Sequence, residues 1–157
     1  MRGFTLIELI VVLAVLITLL AFTYPSLIGS QHRTTLTETI NLLVQDLKDQ
    51  QLKAMLGDLQ GGSTMTNYGI YFQANQYVLF SGTTYVATAS ANFPVSLNAS
   101  SSFTSIPFPN SQIVFSRGSG EVLNFSNNTY TLTITDSVEN VTKNITVNKY
   151  GIVTQIN

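Results

Sequence analysis

The chain has 157 residues, enough for one small domain and an anchor, and its seven basic and eight acidic side chains leave a net charge of −1. That balance offers no general attraction to nucleic acid or anionic lipid. The chain has no cysteine, which excludes disulfide staples, thiolate metal sites and a cysteine nucleophile. Any fold must be held by packing and hydrogen bonds.

The first residues read MRGFTLIELIVVLAVLITLLAFTYP, and Glu8 is the only charge between Gly3 and Gln31. Phe4 to Tyr24 supplies 21 mostly apolar residues, where a helix spanning a bilayer needs about 20. A transmembrane segment is therefore expected. An ionised carboxylate inside hydrocarbon costs about 2.5–3.5 kcal/mol on insertion scales, so such an acid usually has a cationic partner and a task. The bland alternative is that Glu8 reaches the headgroups and profits from the positive end of the helix dipole. A secretory signal peptide would close on an A-x-A cleavage site, but Ala21-Phe22-Thr23-Tyr24-Pro25 stands there instead. A plain anchor stays open, although it gives no reason for an acid five residues past a Gly-Phe junction.

The run Gly3-Phe4-Thr5-Leu6-Ile7-Glu8 resembles the processing motif of type IV prepilins and pseudopilins. The resemblance implies that a prepilin peptidase cuts after Gly3 and methylates the new N-terminal residue, Phe4. It also implies that Glu8 pairs with the N-terminal amine of a neighbouring subunit in a filament. A leader of residues 1–3 is short, and a start upstream would lengthen it. Its one charge, Arg2, keeps the N-terminus cytoplasmic under the positive-inside rule. Pro25 stands where the resembled family often carries a proline. Its ring removes the bond to the Ala21 carbonyl, so the helix is expected to kink or loosen there. The residue fits a simple membrane exit equally well.

From residue 26 to 60 the pattern becomes amphipathic. Leu36, Ile40, Leu43 and Leu47 stand four, three and four apart, which places them on one helical face. The stripe is expected to resume through Leu52, Met55, Leu56 and Leu59, with Gly57 and Gly61-Gly62 stopping the helix. A continuous helix from Phe4 to Leu59 would be roughly 80 Å long.

Residues 61–157 use the vocabulary of strands. Tyr68–Phe72 and Tyr77–Phe80 read as a hairpin. Further strands are expected at Tyr85–Ala87, Ile113–Phe115, Val122–Phe125, Thr129–Thr135, Ile145–Val147 and Ile152–Ile156. Gly151 is expected to take a positive φ in the last turn. Residues 88–111, rich in Ser, Ala, Asn and Pro, read as a long loop, either facing a partner or simply solvated. The fold class is α+β: a long N-terminal helix packed on an antiparallel β-sheet head domain, pilin-like in outline. Phe115-x-x-Gly118-x-Gly120 and the final ITVNKYGIVTQI resemble the GspH/FimT family of minor pseudopilins.

Catalytic material is sparse. The single histidine, His32, is far in sequence from the acids of the β region and reads as surface or interfacial. Asp136 and Glu139 share a turn that offers oxygen ligands to calcium, but there is no EF-hand loop, and a solvated turn is favoured. Arg117-Gly118-Ser119-Gly120 is too short for a phosphate loop. DNA binding needs several cationic phosphate contacts, whereas after residue 60 only Arg117, Lys143 and Lys149 are basic. Asn-x-Ser/Thr triplets begin at Asn98, Asn124, Asn127, Asn140 and Asn144. The prepilin motif implies a prokaryote, so they read mainly as a by-product of a Ser/Thr/Asn-rich surface. An archaeal source would restore their meaning.

The expectation is thus a non-enzymatic filament subunit, a minor pilin or pseudopilin of a type IV pilus or type II secretion filament, without cofactor or metal. It would sit in the inner (cytoplasmic) membrane with its N-terminus inside, then pass to a periplasmic or extracellular filament. Its partners would be the prepilin peptidase, sibling subunits, the inner-membrane assembly platform and the bilayer, with DNA disfavoured. The alternatives are a membrane-tethered binding domain that never polymerises and a DNA-uptake pilin.

Overall fold

The computed structural model describes residues 6–57, 66–123, 125–126 and 129–157, the side chains of residues 20–35 excepted. Helix α1 (Leu6–Leu56) is 51 residues long, about 75 Å at 1.5 Å per residue. It runs through Pro25 as one element, so the proline does not end it. It stops at Gly57, whose φ of +75° suits a residue without Cβ. The Gly57 N–H donates to the Lys53 carbonyl at 2.9 Å.

The expected stripe is buried at Leu36, Ile40, Leu43 and Leu47. It then departs from expectation. Gln50 and Ala54 are the next buried positions, whereas Leu52, Met55 and Leu56 are exposed. The spacings of three and four keep residues 47, 50 and 54 on one line of a 3.6-residue helix, and residues 52, 55 and 56 lie turned away from it. Leu59 and Gly61-Gly62 fall outside the described residues.

Among the described residues the head holds two four-stranded antiparallel sheets where a single one was expected. In the first, β1 (Tyr68–Gln73), β2 (Gln76–Ser81), β3 (Phe93–Ser96) and β5 (Gln112–Phe115) lie in the order β3-β2-β1-β5. In the second, β4 (Ser101–Ser105), β6 (Thr129–Asp136), β7 (Val141–Asn148) and β8 (Val153–Ile156) lie in the order β4-β6-β7-β8. The β1–β2 hairpin forms where expected, in register from Tyr68 opposite Ser81 to Gln73 opposite Gln76.

Three expectations for the head are corrected. The segment read as the loop 88–111 contains β3, β4 and a 3₁₀ turn at Pro109–Ser111. Both strands are sheet edges, where Pro94 can sit because one side of the strand needs no donor. Tyr85–Ala87 is not a strand; the Tyr85 ring stacks on Tyr71 at 4.1 Å, covering the sheet rather than extending it. Among the described residues of Val122–Phe125 there is no strand, but one bridge from Val122 to Phe115, with the Leu123 N–H donating to the Val114 carbonyl at 2.8 Å.

A single apolar cluster joins helix and sheets. The sheets meet through aromatic edges: Phe72 of β1 lies 5.4 Å from Phe103 of β4, and Phe108 lies 5.6 Å from Tyr130 of β6. The helix packs chiefly on β1 and β5, so it is the C-terminal half of α1 that carries the head, as expected.

Candidate functional site

The described N-terminal part of α1 has no packed face. Between Leu6 and Leu19, eleven large apolar side chains have exposures from 51% to 77%. A helix apolar on every side is stable only inside a large core or in lipid, so this stretch requires a cover of lipid or of other helices. Its polar groups suit such a setting. The Thr18 hydroxyl donates to the Val15 carbonyl at 2.8 Å and is satisfied within the helix. Glu8 is an exposed acid in the first turn, where the unpaired N–H groups and the dipole favour negative charge.

Among the described residues no helix is long and apolar enough to cross a membrane. The span expected at Phe4–Tyr24 begins before those residues, and its side chains from residue 20 onward are not described. Gly3 and Phe4, the expected cleavage and methylation positions, lie outside them, as do the side chains of Pro25 and His32.

The other half of α1 is locked to the head by polar contacts. The Tyr77 hydroxyl donates to the Asp46 carboxylate at 2.5 Å. Burial, helped by this hydrogen bond and by the carboxylate's charge, pushes the Tyr77 phenol well above its usual range. The Gln51 amide donates to the carbonyls of Gly120 at 2.9 Å and Tyr150 at 2.6 Å, holding two turns of the head with one side chain. The Gly118 N–H donates to the Ala54 carbonyl at 2.9 Å, satisfying an orphan of the helix C-terminus.

This docking gives the expected glycine pattern a physical cause. At Gly120 (φ +68°) a Cβ would stand 2.6 Å from Met55 Cγ, and at Gly151 (φ +75°) it would stand 2.5 Å from Phe115 Cε1. Glycine lets the first turn approach the helix and the second lie against Phe115 of β5. The spacing of Phe115, Gly118 and Gly120 flagged the region, and the positive φ of Gly151 is as expected. Sequence reasoning missed Asp46, Gln51 and Tyr77, because a polar residue beside an apolar stripe looks like any solvated one.

The remaining candidates are not brought together. Asp136 is buried, not solvated as expected. Its carboxylate accepts the Ser100 hydroxyl at 2.7 Å and the N–H groups of Val138 at 2.9 Å and Glu139 at 3.2 Å, which makes it the brace of the β6–β7 turn. Among the described residues no group of three His, Cys, Asp or Glu side chains is placed to hold a metal ion. Arg117-Gly118-Ser119-Gly120 is the turn that meets the helix end.

Residues 1–24 match the family model of the prokaryotic N-terminal methylation motif. No match to a curated protein or to a solved structure was found. The matched stretch and the exposed apolar helix are the same part of the chain. The N-terminus therefore carries a type IV pilin-type prepilin signal, which implies processing by a prepilin peptidase, membrane anchoring and assembly with other pilins.

Proposed function

We propose that the chain is a non-enzymatic structural subunit of a type IV pilus or type II secretion filament, of the GspH/FimT-type minor pseudopilin kind. Residues 1–3 are the leader, 4–25 the transmembrane and filament-core helix, 26–60 the amphipathic helix and 61–157 the head. Cleavage follows Gly3, Phe4 is N-methylated, and Glu8 pairs with the N-terminal amine of a neighbouring subunit. The observation that carries this reading is the coincidence of the methylation motif at residues 1–24 with a helix apolar on all sides from Leu6 to Leu19. An amine and a carboxylate meeting in low dielectric attract far more strongly than in water, and either one left unpaired there is penalised.

The test is Glu8→Ala, followed separately for membrane insertion and for recovery in sheared filaments. Intact insertion with lost incorporation is the expected result. Unchanged incorporation would remove Glu8 from the assembly contact, and a wild-type chain that is never recovered in filaments would leave a membrane-tethered domain that does not polymerise.

A further inference from the structure

The Asn-x-Ser/Thr triplets are not used by the proposed function, and the fold separates them. Asn124 and Asn127 lie outside the described residues. Asn98 is half-buried, its amide donating to the Ser100 hydroxyl at 3.4 Å. Asn144 is exposed but lies inside β7, where its backbone pairs with Asn157 and its side-chain oxygen accepts the Thr133 hydroxyl at 3.0 Å. Asn140 is different. It is exposed in the turn between β6 and β7, at a φ of +51°. The buried carboxylate of Asp136 fixes that turn through the N–H groups of Val138 and Glu139. Thr142, the hydroxyl residue of the same triplet, is exposed at the start of β7.

One face of the β6–β7 pair that ends at this turn carries no charge at six facing positions. Thr131, Thr133 and Thr135 of β6 stand opposite Thr146, Asn144 and Thr142 of β7. They form cross-strand hydrogen bonds of 3.2, 3.0 and 3.1 Å. A sheet face normally relies on charges to stay soluble and to resist association, and this one has only hydroxyls and an amide. A bulky hydrophilic group at its end would supply what the side chains omit.

We propose that Asn140 is an N-glycan attachment site. The co-reactant is a glycan carried on a lipid phosphate or pyrophosphate at the outer side of the cytoplasmic membrane. A bond forms between Asn140 Nδ2 and the sugar C1, and the bond from C1 to the phosphate oxygen breaks. The electron pair leaves with the lipid phosphate, and the Nδ2 proton goes to a base of the transferase. The site rests on the reading above, in which the head lies outside the cytoplasm.

The test uses the chain isolated from its native cells, digested and analysed by mass spectrometry with fragmentation that localises added mass. Expected is a glycan mass on Asn140 that is lost in Thr142→Ala and kept in Thr142→Ser. A bare Asn140 beside an N-terminus of methylated Phe4 would overturn the glycan and leave the filament reading standing. A bare Asn140 in a chain that keeps Met1-Arg2-Gly3 would overturn both. A glycan confined to the other triplets would overturn the assignment to Asn140.

Discussion

The two ends of α1 use apolar residues in opposite ways. From Leu36 to Ala54 they recur mainly on one line, that line is buried against β1 and β5, and the other faces are mostly polar, with Leu42 and Leu52 as exposed exceptions. From Leu6 to Leu19 they occupy every face and all are exposed. One end is finished by its own head domain. The other is left for something outside the chain, and the methylation motif lies on that end. A single helix thus joins a self-contained fold to a surface that is complete only in lipid or among other subunits.

The largest effect on folding is expected where the helix is already covered. Leu43→Ala removes a side chain with no exposure and should cost about 2–5 kcal/mol, read as a lower midpoint for head unfolding of the full chain in detergent. Leu13→Ala should leave that midpoint within about 0.5 kcal/mol, since Leu13 is 56% exposed. Equal effects at the two positions would break the contrast.

Next come the turns that meet the helix. Gly151→Ala places a methyl 2.5 Å from the Phe115 ring at a φ of +75° and should destabilise the head by about 1–3 kcal/mol. Gly118→Ala, also at positive φ but with open space around it, should cost only about 1 kcal/mol. Thermal melts of the two variants rank them.

Tyr77→Phe should cost about 1 kcal/mol and change the response to alkali. The folded-state pKa of Tyr77 is raised above an unfolded value near 10. Its contribution is therefore fully present below about pH 10 and is lost as pH rises through the folded-state value. The wild type should lose stability above pH 10 more steeply than the variant, and parallel pH profiles would remove Tyr77 from the account.

Smallest of all in folding is Glu8→Ala, which should leave the head's melt unchanged because Glu8 is exposed far from the packed half of α1. Its loss should appear only in filament incorporation.

The sequence announced what periodicity and composition can carry. Leu36, Ile40, Leu43 and Leu47 marked the packed face, the alternation from Thr129 to Thr135 marked β6, and the Gly3-Phe4-Glu8 spacing marked the N-terminal motif. It was silent where partners decide. Gln50 and Ala54 continue the buried line without being large or apolar, so the stripe seemed to pass to Leu52, Met55 and Leu56. The edge strands β3 and β4 are short and bury one large apolar side chain between them, Phe103, and their pairing with β2 and β6 is set by the whole sheet. The two sheets come together at contacts between distant segments, such as Phe72 on Phe103, which no local pattern encodes.

The most direct test of the central claim is the mass of the mature N-terminus of the protein taken from its native cells. The account predicts a chain beginning at N-methylated Phe4. An intact Met1 in cells with an active prepilin peptidase would contradict it, leaving the exposed helix from Leu6 to Leu19 as a membrane anchor alone.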